Sequence, residues 1–213
     1  LPIWAKSVWG KLYGQWICEC AVFVYDYSAK FKPVDLLAQI EKYKITSFCA
    51  PPTIYRFLIQ ADMSKYDLSS LEECVTAGEP LSEEVYNRFK AQTGLGLLEG
   101  FGQTETTLSL LNFKGESVKP GSIGKPAPFY NIKLLKDDLS ECVDGEIGEI
   151  CFPLDKGAFP GLFKEYYRDS EKTAEVMHDG YYFTGDTAWR DEDGFYWFVG
   201  RFDDIIKCSG YRI

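Results

Sequence analysis

The run EGFGQTETT at residues 99–107 concentrates groups that can bind a phosphate and a hard metal ion. Gly100 and Gly102 carry no side chain, so the backbone there can come close to a ligand. Thr104 offers a hydroxyl that suits a phosphate oxygen, and Glu105 offers a carboxylate of the kind that Mg²⁺ prefers. The run therefore predicts a site for phosphate and magnesium. The alternative interpretation is an ordinary turn at the end of a strand, with incidental polar residues.

Three further motifs carry polar groups that suit a nucleotide. In TAGEPL, Gly78 allows close backbone approach and Pro80 begins a helix, while Glu79 is either a ligand contact or a first-turn acid. In TGDT, the carboxylate of Asp186 can accept from two vicinal ribose hydroxyls, or it is a plain aspartate in a turn after a strand. In GRFDD, Arg201 could hold a phosphate or ribose, or belong to a surface ion-pair cluster.

Strand and helix signals alternate along the first half of the chain. Predicted strands cover 21–26, 45–50, 74–78 and 95–101, and predicted helices cover 8–19, 33–44, 53–62 and 82–92. Pro33 begins one of these helices, and Ser82 and Gly94 begin and end another. Alternation at this spacing predicts a largely parallel sheet covered by helices, with ligands beyond the carboxyl ends of its strands.

After about residue 118 the pattern changes to short alternating strands separated by glycine and proline. The sequence DEDG at 191–194 predicts a hairpin turn between two aromatic-rich strands. The fold class is therefore α/β, in three parts. They are an α/β subdomain over 1–117, a mostly antiparallel β-rich subdomain over 118–200, and an exposed connection over 201–213.

Composition argues against several classes of partner. The net charge of −9 leaves no basic patch to neutralise phosphates, which disfavours nucleic acid and anionic membranes. No apolar run reaches membrane-spanning length. The seven cysteines form no CxxC pair, so we expect reduced thiols and a cytoplasmic location. The single histidine, His178, disfavours a histidine-based zinc site or hydrolase.

Together, TAGEPL, EGFGQTETT, YYFTGDTAWRDEDGFYWFVGR and RFDDIIKCSGYRI resemble the adenylate-forming superfamily, and within it the medium-chain acyl-CoA synthetases. The four motifs occur in the family's order over residues 76–213. The resemblance implies part of that family's large N-terminal domain, in which a mostly parallel sheet with helices adjoins a β-rich, barrel-like subdomain. It also implies a reaction in which a carboxylic acid and ATP give acyl-AMP and pyrophosphate, after which CoA takes the acyl group.

The resemblance also implies roles for individual residues. Thr104 would contact the α-phosphate and Glu105 would bind Mg²⁺. Asp186 would hold the ribose hydroxyls, and Arg201 would reach ribose or phosphate. The other implied nucleotide contacts are Gly78, Glu79, Pro80, Glu99, Gly100, Phe101, Gly102 and Gln103. The family usually has tyrosine where this chain has phenylalanine, so the flat ring that would lie along the adenine remains but a hydroxyl is lost.

The last residues of the chain resemble the family's domain hinge and CoA-contacting loop. Asp203 matches the hinge about which a small C-terminal domain rotates between the two half-reactions. Ser209, Gly210 and Tyr211 match a loop that contacts CoA, and Arg212 matches an arginine on the substrate or phosphate side.

Two family features are missing from these 213 residues: a Ser/Thr/Gly-rich phosphate loop that ends in lysine, and a C-terminal domain with a catalytic lysine. We therefore expect a fragment that does not catalyse adenylation by itself. Trp4, Trp9 and Trp16 are candidates for an acyl tunnel, although a packed core helix is the favoured explanation for most of these aromatics.

Three other functions remain as alternatives. One is a fragment of an amino-acid or aryl-acid adenylating domain, and another is a nucleotide-binding module without chemistry. An oxidoreductase is disfavoured because the glycines at 94, 96 and 100 do not have dinucleotide-binding spacing.

Overall fold

The computed structural model describes residues 12–26, 30–155, 161–201, 207–208 and 211–212. The chain forms two compact units, Leu1–Glu99 and Gly100–Ile213. The helices of the first unit are α1 (Gly14–Ile17), α2 (Pro33–Tyr43), α3 (Pro52–Leu58) and α4 (Glu83–Thr93), with a short 3₁₀ turn at Met63–Lys65. Its strands are β1 (Ser47–Cys49) and β2 (Glu73–Ala77), and β3 (Leu97–Gln103) contains the boundary.

The helix ends of the first unit follow from local chemistry. Pro33 occupies the first turn of α2, where the amide hydrogen that proline lacks would have no partner. The Ser82 side chain accepts from Val85 N–H at 3.4 Å and begins α4, which ends at Gly94 with a φ of 75°. That left-handed conformation is open to glycine at little cost. These boundaries agree closely with the sequence prediction.

A buried tyrosine joins the helices of this unit to its parallel strand pair. β1 and β2 pair in parallel, with Ser47 opposite Glu73. The Tyr55 hydroxyl lies 3.0 Å from the carbonyl oxygens of both Phe48 and Val75, so it bridges the two strands. Burial raises the pKa of this hydroxyl, which therefore remains a donor.

The strand predicted near the start of the chain is wrong, and the helix predicted before it lies only partly within the described residues. Residues 21–26 form no strand, and their side chains are exposed or half-buried, with Val24 79% exposed. β-forming residue types alone do not make a strand unless a partner strand covers them. Of the helix predicted over 8–19, the described residues contain only a π turn at 12–13 and the four residues of α1.

The second unit is built of antiparallel strands. They are β4 (Thr107–Leu111), β5 (Lys125–Pro126), β6 (Lys133–Leu135), β7 (Ile147–Pro153), β8 (Met177–His178), β9 (Tyr181–Arg190), β10 (Tyr196–Arg201), β11 (Lys207–Cys208) and β12 (Tyr211–Arg212). The order β10-β9-β7-β6 makes one sheet, and β3-β4-β5 run antiparallel to one another. One short helix, α5 (Ser170–Val176), was not predicted, although Asp169 caps it by accepting from Lys172 N–H at 2.9 Å.

The hairpin turn predicted at DEDG is present between β9 and β10. The Asp191 carboxylate accepts from the backbone N–H of Asp193 and Phe195, at 3.0 and 2.9 Å, and from the indole N–H of Trp197 at 3.0 Å. Trp189 and Trp197 stack across the two strands with ring centroids 5.4 Å apart. This packing fixes the register of β9, the strand that carries Asp186.

The structure describes six of the seven cysteine side chains and allows the helices to be compared with a membrane-spanning length. The cysteines at 18, 20, 49, 74, 142 and 151 are free thiols, and the Cys208 side chain lies outside the described part of the chain. Burial raises the pKa of the Cys74 thiol to about 12. Within the described residues, none of the helices combines the length and the apolar character needed to cross a bilayer.

Candidate functional site

The polar run at 104–106 forms the turn of a tight antiparallel hairpin. β3 extends to Gln103, two residues beyond the predicted strand end, and returns as β4. The Thr106 hydroxyl accepts from the backbone N–H of Gln103 at 3.0 Å, which closes the turn. Thr104 is exposed at its tip, whereas the Phe101 ring is buried in the core near Phe198, with centroids 6.2 Å apart. The predicted adenine contact of Phe101 therefore remains untested.

A hydrogen-bonded network connects this hairpin to Asp186. The Gln103 side-chain nitrogen donates to Asp186 Oδ2 at 2.6 Å and to the carbonyl oxygen of Thr184 at 2.8 Å. The Tyr182 hydroxyl donates to Gln103 Oε1 at 2.7 Å. Asp186 is fully buried and lies inside β9, so its predicted place in a turn after a strand is wrong. Residues with high β-propensity lie on both sides of TGD, and the strand continues across the glycine.

Arg201 and Glu149 surround the same segment of β9. Arg201 Nη1 lies 3.7 Å from Asp186 Oδ1 and 3.4 Å from the Thr184 carbonyl oxygen, and the side chain is 13% exposed. This inward position differs from the surface ion-pair cluster that was the alternative. The Glu149 carboxylate accepts from Gly185 N–H at 2.7 Å. Burial raises the pKa of Glu149, and that hydrogen bond opposes the rise.

Glu105 is held through both its backbone and its side chain. Its carbonyl oxygen accepts from Phe163 N–H at 2.7 Å, and its carboxylate accepts from the Tyr166 hydroxyl at 3.0 Å. The Phe163 and Tyr166 rings pack with centroids 4.8 Å apart. The loop before α5 therefore restrains the one carboxylate at this turn.

Several of these residues line one groove of the second unit, with a volume of about 570 Å³. Gln103, Glu105, Tyr166, Tyr182 and Arg201 are among its lining residues. The structure thus brings together residues from three separate motifs, namely Gln103 and Glu105 from the first, Asp186 from the second and Arg201 from the third. No sequence pattern pointed to Tyr166, Tyr182 or Glu149, because their partners lie far away along the chain.

The TAGEPL residues belong to the first unit. Gly78, Glu79 and Pro80 follow the end of β2, as predicted. The Glu79 carboxylate accepts from the Thr53 hydroxyl at 2.7 Å and pairs with Arg56 at 3.0 Å, and its side chain is 8% exposed. Glu79 therefore holds its own loop against α3, and a nucleotide contact by it remains a prediction.

Glu99 anchors the same loop from β3. Its carboxyl accepts from Leu81 N–H at 3.0 Å, and the residue is 3% exposed. Burial raises the pKa of Glu99 to about 8, and the Leu81 hydrogen bond opposes this rise. At neutral pH the side chain is therefore mostly a protonated carboxylic acid in the folded protein.

This burial predicts a pH-dependent stability. The pKa of Glu99 is higher in the folded protein than in the unfolded chain. Its contribution to the free energy of unfolding is therefore fully present below about pH 4.3 and is lost as the pH rises towards 8. We expect the free energy of unfolding to fall by about 3 kcal/mol between pH 5 and pH 8 because of this group. Glu99→Gln should remove that slope in urea titrations, whereas Glu83→Gln, at an exposed position, should retain it. An unchanged slope in Glu99→Gln would contradict the assignment.

Several predicted residues cannot be placed. Asp203, Ser209 and Gly210 lie outside the described residues, and Tyr211 and Arg212 are described only as backbone in β12. Trp4 and Trp9 also lie outside, while Trp16 is 57% exposed.

Within the described residues, no cluster of three or more His, Cys, Asp or Glu side chains could hold a metal ion. A magnesium ion bound mainly through substrate phosphates needs only one or two protein carboxylates. The groove-lining carboxylate of Glu105 fits that requirement.

Comparison with known proteins decides the family. The sequence profile described as AMP-binding enzyme matches residues 1–167. The chain belongs to the AMP-binding enzyme family. The resemblance identified from the four motifs is thereby confirmed.

Individual members of this family match along nearly the whole chain. The Mus musculus protein named acyl-coenzyme A synthetase ACSM3, mitochondrial, is 44% identical over 210 residues, which are 99% of this chain and 36% of that protein. The crystal structure of the anthranilate CoA ligase AuaEII with anthranoyl-AMP has a TM-score of 0.85 and 30% identity, over 99% of this chain and 40% of that one. The ATP-bound MatB of Rhodopseudomonas palustris has a TM-score of 0.73 and 27% identity, over 86% and 36%.

The chain therefore spans a little over one third of the length of the curated relatives it matches, 36% in the mouse protein. The predicted fold class is confirmed, since the mixed α/β structure matches the N-terminal domain of an acyl-CoA ligase. The proposed boundaries at 117 and 200 stay predictions.

Proposed function

We propose that these 213 residues are a nucleotide-binding segment of an ATP-dependent acyl-CoA synthetase, an acid–thiol ligase. The groove that Glu105 and Arg201 line, with Asp186 buried 3.7 Å from the Arg201 guanidinium, carries this proposal. Two carboxylates, an exposed threonine hydroxyl and an arginine suit the ribose and phosphates of ATP.

In the proposed first half-reaction, a carboxylate oxygen of the acid attacks the α-phosphorus of ATP, and the bond to pyrophosphate breaks. Thr104 donates to an α-phosphate oxygen, Asp186 accepts from the ribose hydroxyls, and Arg201 binds ribose or phosphate. Fixed donors of this kind stabilise the charge that develops on the phosphoryl oxygens. The CoA thiol then attacks the acyl carbon and AMP leaves, with Tyr211 and its neighbours as the proposed CoA contacts.

Glu105 would hold Mg²⁺ in this scheme. When bound, the ion polarises phosphoryl oxygens and neutralises their negative charge. The contribution of the chain is to keep one carboxylate oriented, through the Tyr166 hydroxyl and the Phe163 N–H.

The acyl-CoA branch is favoured over an amino-acid adenylating domain by the names of the sequence relatives. The AuaEII structure contains an aryl acid as its adenylate, so aromatic acids should also be tested as substrates. ATP binding that is unchanged by Mg²⁺ removal and by Glu105→Ala would favour a nucleotide-binding module without chemistry. No nucleic acid or membrane partner is proposed.

The test is a substrate panel on the full-length protein that contains this chain. Carboxylic acids from acetate upward, together with aryl and amino acids, are incubated with ATP, Mg²⁺ and CoA. We expect AMP release and thioester formation with one class of fatty or aryl acid, and no release without an acid. AMP release without thioester would support the amino-acid alternative, and ATP binding without turnover would support the module.

A cytoplasmic location stays a prediction, and the name of the mouse relative points instead to mitochondria. We propose a reducing compartment for the free thiols. Imaging of the tagged full-length protein against mitochondrial and cytoplasmic markers distinguishes the two.

A further inference from the structure

The amide of Gln103 is fully committed within the protein. Both N–H groups are used, one to Asp186 Oδ2 at 2.6 Å and one to the Thr184 carbonyl at 2.8 Å. The amide oxygen accepts from the Tyr182 hydroxyl at 2.7 Å. The amide nitrogen faces two acceptors and the amide oxygen faces a donor, so these contacts hold the amide in one orientation.

Tyr182, the last residue of this hydrogen-bonded network, is held in place by core packing. It is 2% exposed, and its ring packs against Phe152 and Phe163, with centroids 6.1 and 5.4 Å away. Burial raises the pKa of its hydroxyl, which therefore remains a donor to Gln103. A hydroxyl that is fixed by core packing holds the amide oxygen of Gln103 in one place.

The two oxygens of Asp186 have different surroundings. Oδ2 accepts the short hydrogen bond from Gln103. Oδ1 lies 3.7 Å from Arg201 Nη1, within ion-pair distance. Arg201 lines the groove, whereas Asp186 is fully buried and is not among the lining residues, so binding of a ribose to Oδ1 requires the Arg201 guanidinium to move.

We propose that Gln103 and Tyr182 are positioning residues that present one oxygen of Asp186 to the ribose of a bound nucleotide. The inference rests on the proposed function, in which Asp186 accepts from the ribose hydroxyls. A carboxylate with one oxygen fixed by a charge-assisted hydrogen bond loses little freedom when its other oxygen binds a ligand. Gln103 therefore acts through Asp186, because its amide groups are already used within the protein, and this role differs from the direct nucleotide contact that was predicted.

The test compares two nucleotides that differ only at the ribose. Binding of ATP and of 2′,3′-dideoxy-ATP is measured by calorimetry on the full-length protein that contains this chain. Gln103→Leu should weaken ATP binding roughly tenfold and leave dideoxy-ATP binding within about twofold. Tyr182→Phe should show the same pattern at about threefold. Tyr181→Phe, the neighbouring residue of β9, should change neither.

The outcomes separate this proposal from a general structural role. Equal losses for both nucleotides, or no loss for either, would overturn the positioning role. If circular dichroism shows that Gln103→Leu is unfolded, the milder Tyr182→Phe comparison decides. If the unaltered protein binds both nucleotides equally, the ribose role of Asp186 fails together with the proposal. If it prefers ATP and both variants keep that preference in full, only the positioning role fails.

Discussion

Replacing Gly102 with alanine is expected to destabilise the second unit by about 3–5 kcal/mol. A Cβ at this position would overlap the Thr107 carbonyl oxygen and would lie 2.9 Å from the Leu108 Cα. These are backbone atoms of the strand that pairs with Gly102, so they cannot move aside as a flexible side chain can. The hairpin must open, and Glu105 must move with it.

Urea unfolding of the full-length protein, followed by tryptophan fluorescence, measures this effect. Gly200→Ala is the matched control, because a Cβ there meets nothing within 4 Å. We expect a cost below about 1 kcal/mol for that strand position. Equal stability of the two variants would mean that β3 and β4 do not approach as closely as described.

Replacing Glu105 with glutamine is expected to lower acyl-adenylate formation in the full-length protein by two to three orders of magnitude, or about 3–4 kcal/mol in activation free energy. Glutamine keeps the size of the side chain and an oxygen that can accept from Tyr166. It removes the negative charge that a magnesium ion requires of a protein ligand. The loss should therefore be catalytic, with little change in stability.

Acid-dependent exchange of pyrophosphate into ATP, measured across a magnesium titration, tests this expectation. Glu116→Gln is the control, since Glu116 is exposed in the loop after β4, away from the groove-lining residues. A Glu105→Gln protein that exchanges pyrophosphate at the normal rate and magnesium concentration would remove Glu105 from the metal site.

Local chemistry determined most of the element boundaries. Pro33, Ser82 and Gly94 predict helix ends from properties of single residues, and the structure agrees. The hairpin at 191–194 follows from a short turn sequence between two runs of β-formers. The strand predicted over residues 21–26 is wrong because a strand needs a partner strand, and residue types alone do not show whether one is present.

The motifs identified the family but not the arrangement of the site. Thr104 and Glu105 are adjacent in sequence, so any turn there presents them together. Gln103 and Asp186 are 83 positions apart, and Tyr166 and Glu105 are 61 apart. Only the register of the antiparallel strands and the packing of the loop before α5 bring these pairs together. The sequence by itself therefore determined which chemical groups are present. The tertiary structure decided which way each carboxylate faces, because that depends on donors supplied by distant strands.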